Sequence, residues 1–184
     1  MFGKHRSGVR NADQALDRLG QLLLREHSME GALQKVADSA KRLLPGHPET
    51  SVSVLFHDFP TTVVYTDQLA VDCDERQYAH GDGPCMHAAS SGQLTEIADA
   101  QAETRWRDYV REAAERGARS SLSVPLPISE KGVSAALNIY ARRPNAFDEE
   151  TRSVARRFAP LAATAVTKAQ AFKDAQKVAE AWPI

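Results

Sequence analysis

Residues 120–141 read S-S-L-S-V-P-L-P-I-S-E-K-G-V-S-A-A-L-N-I-Y-A and contain the clearest pair of strands in the chain. Apolar residues alternate with small or polar ones on both sides of the segment S-E-K-G, which is typical of a β-hairpin. Pro125 and Pro127 lack the N–H that a strand ladder needs, so we expect part of the first strand to be an edge or a bulge. The hairpin therefore predicts an antiparallel sheet.

Two helices and two further strands are predicted before the hairpin. Residues 11–27 and 29–44 carry apolar residues at spacings of three and four, which indicates two amphipathic helices. The stretches 50–57 and 61–66 alternate like antiparallel strands. Residues 68–83 show no clear periodicity, so we expect an irregular segment there.

The remaining elements complete an α+β order. We expect a short helix at 84–90, a short strand from Leu94, and a helix that carries Trp106 and ends at Gly117. A long last helix has apolar residues near heptad spacing from Val154 to Trp182. The order α-α-β-β-(α)-β-α-β-β-α lacks regular β-α-β alternation, which predicts a mainly antiparallel sheet with helices on its faces.

Composition excludes several classes of protein. The 184 residues suit one domain, and 26% charged with 42% hydrophobic residues is ordinary for a globular chain. A net charge of -1 gives no general attraction to nucleic acid or anionic membrane. No apolar run has the length of a signal peptide or a membrane span, so we expect a cytoplasmic protein. Two cysteines do not make a disulfide framework, and we expect reduced thiols.

Residues 80–92, H-G-D-G-P-C-M-H-A-A-S-S-G, hold the densest group of candidate functional side chains. The phosphate-binding patterns of glycine-rich loops are absent, and C-M-H is too tight for the usual paired zinc ligands. Pro84 favours a helix start, where the helix dipole would favour a Cys85 thiolate. Alternatively, Cys85 is a small buried apolar residue and the glycines only form a tight turn. From the residues alone, both alternatives stay open.

Four segments in order resemble a known family. They are G-D-G-P-C-M-H-A-A-S-S-G at 81–92, D-A-Q-A-E-T-R-W-R-D-Y at 99–109, S-S-L-S-V-P-L at 120–126 and A-A-L-N-I-Y-A-R-R-P-N-A-F-D-E-E at 135–150. Together they resemble the GAF domain, in particular the sensory GAF domains that precede an RNA-binding ANTAR domain in actinobacterial regulators. We expect no ANTAR domain in this chain, and hence no direct contact with nucleic acid.

The resemblance implies an α+β, PAS-like fold. Its central antiparallel sheet has about six strands, with the terminal helices on one face and short helices over a ligand pocket on the other. Such domains bind cyclic nucleotides, tetrapyrroles, haem or other metabolites, or act only in dimerisation. N-A-F-D-E-E at 145–150 departs from the N-K-F-D-E signature of the cyclic-nucleotide binders, and no bilin-attachment motif surrounds Cys73 or Cys85. The resemblance therefore leaves the ligand and any cofactor unidentified.

The same resemblance offers one enzymatic alternative. Free methionine-(R)-sulfoxide reductases are GAF proteins with a cysteine in a similar glycine-flanked segment, where Cys85 stands here. A reductase of this kind needs a second, resolving cysteine. No cysteine follows Ile97, and Cys73 would have to approach from the preceding segment. We therefore expect a protein that is not an enzyme.

A ligand pocket would be lined by the segment before Gly81, by the two helices that carry Cys85 and Trp106, and by one face of the hairpin. Ser121 and Ser123 alternate with apolar residues, so they form a polar pocket wall if the sheet is covered on both sides and face solvent otherwise. The alternative for Trp106 and Tyr109 is packing between helix and sheet. The candidate pocket residues are Tyr78, His80, Cys85, His87, Trp106, Tyr109, Ser121, Ser123, Asn138 and Tyr140.

The sequence therefore predicts a sensory or regulatory GAF domain that binds a small molecule or dimerises in response to a signal, in signal transduction or transcription regulation. We expect a flexible N-terminus at 1–10, the GAF domain at 11–172 and a helical extension at 173–184. The first and last helices would form a homodimer and pass the signal to an unidentified partner protein. A purely structural dimerisation module is the other alternative.

Overall fold

The computed structural model describes residues 3–181, which contain six helices and five strands. In chain order they are α1 Gly3–Leu24, α2 Met29–Leu43, β1 Glu49–Phe56, β2 Phe59–Tyr65, α3 Gln68–His80, α4 Pro84–Ser91, β3 Thr95–Ile97, α5 Arg107–Glu115, β4 Ser120–Pro125, β5 Val133–Ala141 and α6 Glu149–Ala181.

The five strands form one antiparallel sheet in the order β2-β1-β5-β4-β3. A two-residue turn joins β1 to β2, and both of its residues, His57 and Asp58, have positive φ angles of 48° and 66°. This backbone matches the twist of a hairpin. The expected antiparallel α+β architecture is confirmed, with five strands in place of about six.

The terminal helices cover one face of the sheet. Ser28 caps α2 by accepting a hydrogen bond of 3.0 Å from the Gly31 N–H, a contact that contributes about 1 kcal/mol in helices generally. The core on this face contains alternate residues of the strands, such as Leu137 and Ile139, together with Leu33 and Phe158 of the helices. Every second residue of a strand therefore packs in this apolar layer, and the residues between them point to the opposite face of the sheet.

The hairpin of β4 and β5 is confirmed. Neither of its prolines has a strand partner on both sides, so the missing N–H groups do not interrupt the sheet. β3 pairs only with residues 121–123 of β4, so Pro125 has a strand partner on the β5 side alone, at Ala136. Pro127 lies beyond the end of β4. The short strand after Leu94 and the helix that begins at Pro84 are also present.

The prediction of an irregular segment at 68–83 is wrong, because residues 68–80 form α3. Asp67 begins this helix by accepting a hydrogen bond of 2.7 Å from the Gln68 N–H, and Gly81 ends it in the left-handed conformation. The buried face of α3 includes Asp74 and Gln77. Its buried apolar residues, Leu69, Ala70 and Cys73, lie only in the first half of the helix, and polar residues continue the buried face, so no apolar stripe runs along the whole helix for periodicity to detect.

The terminal helices differ in extent from the sequence-based boundaries. α1 begins at Gly3, within the segment 1–10 that we expected to be flexible, and α6 continues to Ala181 through most of the expected extension. Trp182, the last residue of the proposed seam, lies outside the described residues. No helix between residues 3 and 181 has the length and apolar character needed to cross a membrane.

Candidate functional site

The second face of the sheet carries polar side chains beneath α3, α4 and α5. Ser51, Ser53 and Asn138 alternate with residues of the apolar core, so they point away from the terminal helices. All three are completely buried. Because the sheet is covered on both sides, the polar residues that face α3 and α4 line an internal layer and are shielded from solvent.

Asp74 of α3 lies at the centre of this layer and is completely buried. Its carboxylate accepts hydrogen bonds from the Tyr140 hydroxyl, from Thr62 Oγ1 at 2.8 Å and from Asn138 Nδ2 at 3.3 Å. Burial raises the pKa of Asp74 to about 6, although hydrogen bonds to the carboxylate lower it. Ser51 also hydrogen-bonds this carboxyl. A buried acid among neutral donors is therefore the main electrostatic feature of the site.

Two further side chains extend the network across the sheet. The Tyr78 hydroxyl hydrogen-bonds Ser53 Oγ at 2.5 Å and Thr62 Oγ1 at 2.8 Å. Asn138 Nδ2 donates to Ser51 Oγ at 3.1 Å and to Ser53 Oγ at 2.9 Å. The polar side chains of α3, β1, β2 and β5 thus form one connected set, which we call the Asp74 network: Ser51, Ser53, Thr62, Asp74, Tyr78, Asn138 and Tyr140.

The segment 81–85 is shaped by a glutamine of the neighbouring helix. Gly83 precedes α4 and offers no side-chain cap, and Gln77 Oε1 replaces it by accepting from the Cys85 N–H at 2.6 Å and the Met86 N–H at 3.1 Å. A Cβ on Gly83 would lie 2.0 Å from Gln77 Cγ. Glycine is therefore needed here for close approach, while Gly92, with φ at 71°, ends α4 as expected.

Both cysteines are unpaired and buried. Burial raises the pKa of Cys85 to about 12, and it also raises that of Cys73 to about 12. Although Cys85 lies in the first turn of α4, the Gln77 oxygen already occupies the nearby amides, and desolvation opposes the thiolate. Of the two alternatives left open by the sequence, the structure favours the small buried apolar residue.

Several buried polar atoms of this layer have no hydrogen-bond partner among the described residues. They are Gln77 Nε2, Ser121 Oγ and Asn138 Oδ1. Beside Tyr140 the layer encloses a cavity of about 10 Å³, which Tyr109 and Ser121 also line. That volume corresponds to about one water molecule. The layer therefore has room there for no more than about one water molecule, and of the three residues with unpartnered atoms only Ser121 lines the cavity.

α5 covers this closed layer and is held from outside by contacts at the surface. The prediction that a helix carries Trp106 is wrong, because α5 begins at Arg107. Trp106 precedes it with φ at 49° and ψ at 47°, a left-handed conformation that is uncommon for a bulky side chain. Its ring lies 6.0 Å from the His87 ring, and Arg105 Cζ lies 4.9 Å from its centroid. His80 Nε2 lies 3.2 Å from Glu112 Oε1 and so links α3 to α5.

The ten residues expected to line a pocket fall into three groups in the structure. Tyr78, Asn138 and Tyr140 belong to the Asp74 network. Cys85, Tyr109, Ser121 and Ser123 are buried in the same layer. His80, His87 and Trp106 lie at the outer rim between α3, α4 and α5.

Sequence reasoning missed several residues of the site, above all Asp74 and Gln77. Thr62 was assigned to a strand without a role, and Ser51 and Ser53 were not singled out, although their alternation with apolar residues was visible. The described residues contain no group of three or more side chains able to hold a metal ion.

Comparison with known proteins identifies the family. The sequence model of the GAF domain matches residues 26–167. No curated protein sequence matches the chain. Among solved structures, the GAF domain of a phosphoenolpyruvate-protein phosphotransferase from Coxiella burnetii superposes with a TM-score of 0.69 at 18% identity, covering 90% of this chain and 98% of that one.

Two other solved structures show how widely this fold is used. The reduced free methionine-R-sulfoxide reductase of Staphylococcus aureus gives a TM-score of 0.65 at 15% identity, covering 84% of this chain and 94% of that one. An N-acylhomoserine-lactone-dependent LuxR-family transcription factor from Burkholderia cenocepacia gives 0.63 at 16%, covering 86% and 94%. At these identities the likeness concerns the fold alone. Because the family model spans most of the chain and the architecture agrees, the protein belongs to the GAF domain family.

Proposed function

We propose that this GAF domain is a sensory or regulatory module that binds a small polar molecule in the layer around the Asp74 network. The observation that carries the proposal is the set of buried polar atoms without partners, Gln77 Nε2, Ser121 Oγ and Asn138 Oδ1. Each such atom costs about 1–3 kcal/mol if nothing satisfies it. A bound polar molecule that supplied the missing hydrogen bonds would recover that cost.

Binding requires α5 to move. The cavity of about 10 Å³ is too small for a metabolite. The contacts that hold α5 from outside, His80 with Glu112 and His87 with Trp106, are partly exposed and therefore weak. We propose that a bound ligand displaces α5, and that this displacement alters the packing of the terminal helices for a partner protein.

We propose further that the protein is not an enzyme, although reductases share its fold. The Cys85 thiol is completely buried and its pKa is raised to about 12, so it is not activated as a nucleophile. No cysteine follows Cys85 in the sequence. The reductase alternative predicts turnover of free methionine-(R)-sulfoxide that Cys85→Ser abolishes, and turnover by the wild-type protein would overturn our proposal.

The terminal helices support a homodimer. A groove of about 470 Å³ runs between the end of α1, the start of α2 and the middle of α6, with an apolar wall that includes Leu23, Met29 and Leu161. Leu24, at its rim, is 75% exposed. We propose that a second copy of this chain covers the groove, because the groove follows α6 as far as Lys173, past the end of the matched GAF domain at residue 167.

Ligand binding is tested on the protein as purified. Native mass spectrometry detects a retained molecule, and thermal unfolding with a panel of metabolites, nucleotides and haem detects one that is added, because a ligand that binds only the folded state raises the midpoint. We expect a rise in the midpoint with at least one polar compound of the panel. A homodimer that holds nothing and responds to nothing would favour the purely structural dimerisation module.

The dimer is tested by sedimentation of the wild-type protein and of two charge variants. Leu24→Glu places a charge at the groove and should yield monomers at micromolar concentration. Phe59→Glu is the matched control, since Phe59 is 73% exposed on β2 and lies away from the groove. A monomeric wild-type protein, or equal dissociation of both variants, would refute the proposed interface.

A further inference from the structure

We infer that the molecule bound by the Asp74 network carries an N–H-bearing cation, a protonated amine or a guanidinium, which donates hydrogen bonds to the Asp74 carboxylate and to Asn138 Oδ1. This inference rests on the proposed function and adds the chemical class of the ligand. It depends on three features of the buried layer: a charge without a counter-charge, an acceptor without a donor, and aromatic hydroxyls around both.

The Asp74 carboxylate has no counter-charge. Its hydrogen-bond partners are all neutral: Ser51, Thr62, Asn138 and Tyr140. None of the ion pairs formed by the described side chains includes Asp74. Carboxylates that are fully buried in folded proteins are normally paired with a cation or a metal ion. The missing positive charge therefore points to a cationic ligand.

Asn138 supplies an acceptor beside that carboxylate. Its Nδ2 donates to Asp74 Oδ1 at 3.3 Å, which fixes the orientation of the side-chain amide, since the reverse orientation would set two oxygens against each other. Asn138 Oδ1 is consequently left with no donor among the described residues. A ligand that satisfies both the Asp74 carboxylate and Asn138 Oδ1 needs a group with several N–H donors.

The two acceptors select among ligand head groups. A primary ammonium has three N–H donors and a guanidinium has five, so either can satisfy the carboxylate and the amide oxygen together. A quaternary ammonium has the charge but no N–H, and an alcohol has one donor and no charge. Phosphate and carboxylate groups would meet Asp74 with like charge in a layer that excludes water.

The tyrosines of the layer are consistent with a cation. Tyr140 donates directly to Asp74, Tyr78 reaches it through Thr62, and Tyr109 is buried nearby beside the small cavity. Aromatic rings attract cations, the more strongly the less water is present. Tyr140 contacts Asp74 through its hydroxyl and also lines the cavity. Asp74 and Asn138 do not line that cavity, so a head group reaches the carboxylate only after α5 has moved.

The test uses four probes that share a butyl chain and differ in the head group: n-butylammonium, n-butyltrimethylammonium, 1-butanol and butyrate. Each is added at millimolar concentration to the full chain, and binding is followed by the thermal midpoint and by the ¹H–¹⁵N resonance of the Asn138 side-chain amide. The variants are Asp74→Asn, which keeps the side-chain shape, and Asp58→Asn, an exposed control in the β1–β2 turn.

We expect n-butylammonium to bind the wild-type protein and the Asp58→Asn control, to shift the Asn138 amide, and to bind Asp74→Asn about tenfold more weakly or worse, as the loss of a charged hydrogen bond implies. The Asn138 resonance of the wild-type protein keeps the test decisive even if Asp74→Asn does not fold.

Two results would overturn the inference. Equal shifts of the Asn138 amide with 1-butanol, butyrate or the trimethyl probe would show a binding site in the buried layer with a different head-group preference, so the proposed function would stand without its cation. If none of the four probes shifts the Asn138 amide, the inferred preference for a cation is also refuted. The metabolite panel then decides separately whether the protein binds a ligand.

Discussion

Replacing the buried acid by its neutral isostere should change how stability depends on pH. Asp74 has a pKa of about 6 in the folded protein because burial disfavours its charge, against a usual value of 3.8. Between these values the folded state keeps a proton that the unfolded state releases, so the contribution of Asp74 to stability is complete below about pH 4 and is lost as pH rises through 6. The usual carboxylate in a protein has the opposite sign.

The size of the effect follows from the same two values. The difference between 3.8 and about 6, multiplied by about 1.4 kcal/mol per pKa unit, gives about 3 kcal/mol. The free energy of unfolding of the wild-type protein, minus that of Asp74→Asn, should therefore fall by about 3 kcal/mol between pH 3 and pH 7. Subtracting the variant removes the contribution of every other titrating group that the substitution leaves unchanged.

The assay is urea unfolding followed by tryptophan fluorescence at several pH values, for the wild-type protein, Asp74→Asn and Asp58→Asn. Asp58→Asn removes an exposed acid in a turn and should follow the wild-type curve. A wild-type-minus-Asp74→Asn difference that stays constant from pH 3 to pH 7, or that grows with pH, would refute the claim that burial raises the pKa of this carboxyl.

Three further predictions concern the segment around α4. Gly83→Ala should lower the free energy of unfolding by about 2 kcal/mol, because the added Cβ would clash with Gln77. Gly81→Ala has open space around its Cβ and should lose only about 1 kcal/mol for its positive φ. Equal losses in the two variants would contradict the close approach of Gln77 to Gly83. Gln77→Leu should cost about 2 kcal/mol in urea unfolding by leaving two amides of α4 without an acceptor, and the exposed Gln68→Leu should stay within about 0.5 kcal/mol. Both cysteines should react with a thiol reagent only as fast as the protein unfolds, and rapid labelling of native Cys85 would disagree with its burial.

The sequence predicted the elements whose hydrophobic pattern has a clear period. The strands β4 and β5 alternate between a core face and a site face, and the helices α2 and α6 carry apolar stripes that cover one core. α3 was missed because its buried face contains Asp74 and Gln77, which a periodicity search counts as polar and exposed. The part of the fold that failed to follow the rule is thus the part that builds the site.

The candidate site was only partly visible for a related reason. Alternation predicted that Ser121, Ser123, Asn138 and Tyr140 share one face of the sheet, and the structure places all four in the buried layer. Which of them bond to one another depends on contacts between residues far apart in the chain, such as Asn138 with Ser51. No local pattern carries that information, and none predicted that Asp74 of α3 hydrogen-bonds to them.

The strand β5 gives the site a direct mechanical link to the terminal helices. Asn138 and Tyr140 belong to the Asp74 network, while Leu137 and Ile139, their neighbours along the strand, are packed in the core formed with α2 and α6. A ligand that moved the backbone of β5 to accommodate its head group would therefore change the packing beneath both helices at once, because close-packed cores do not absorb such shifts gradually. The alternation of core and site residues along β5 therefore connects the site to the terminal helices, which form the surface proposed for the second copy.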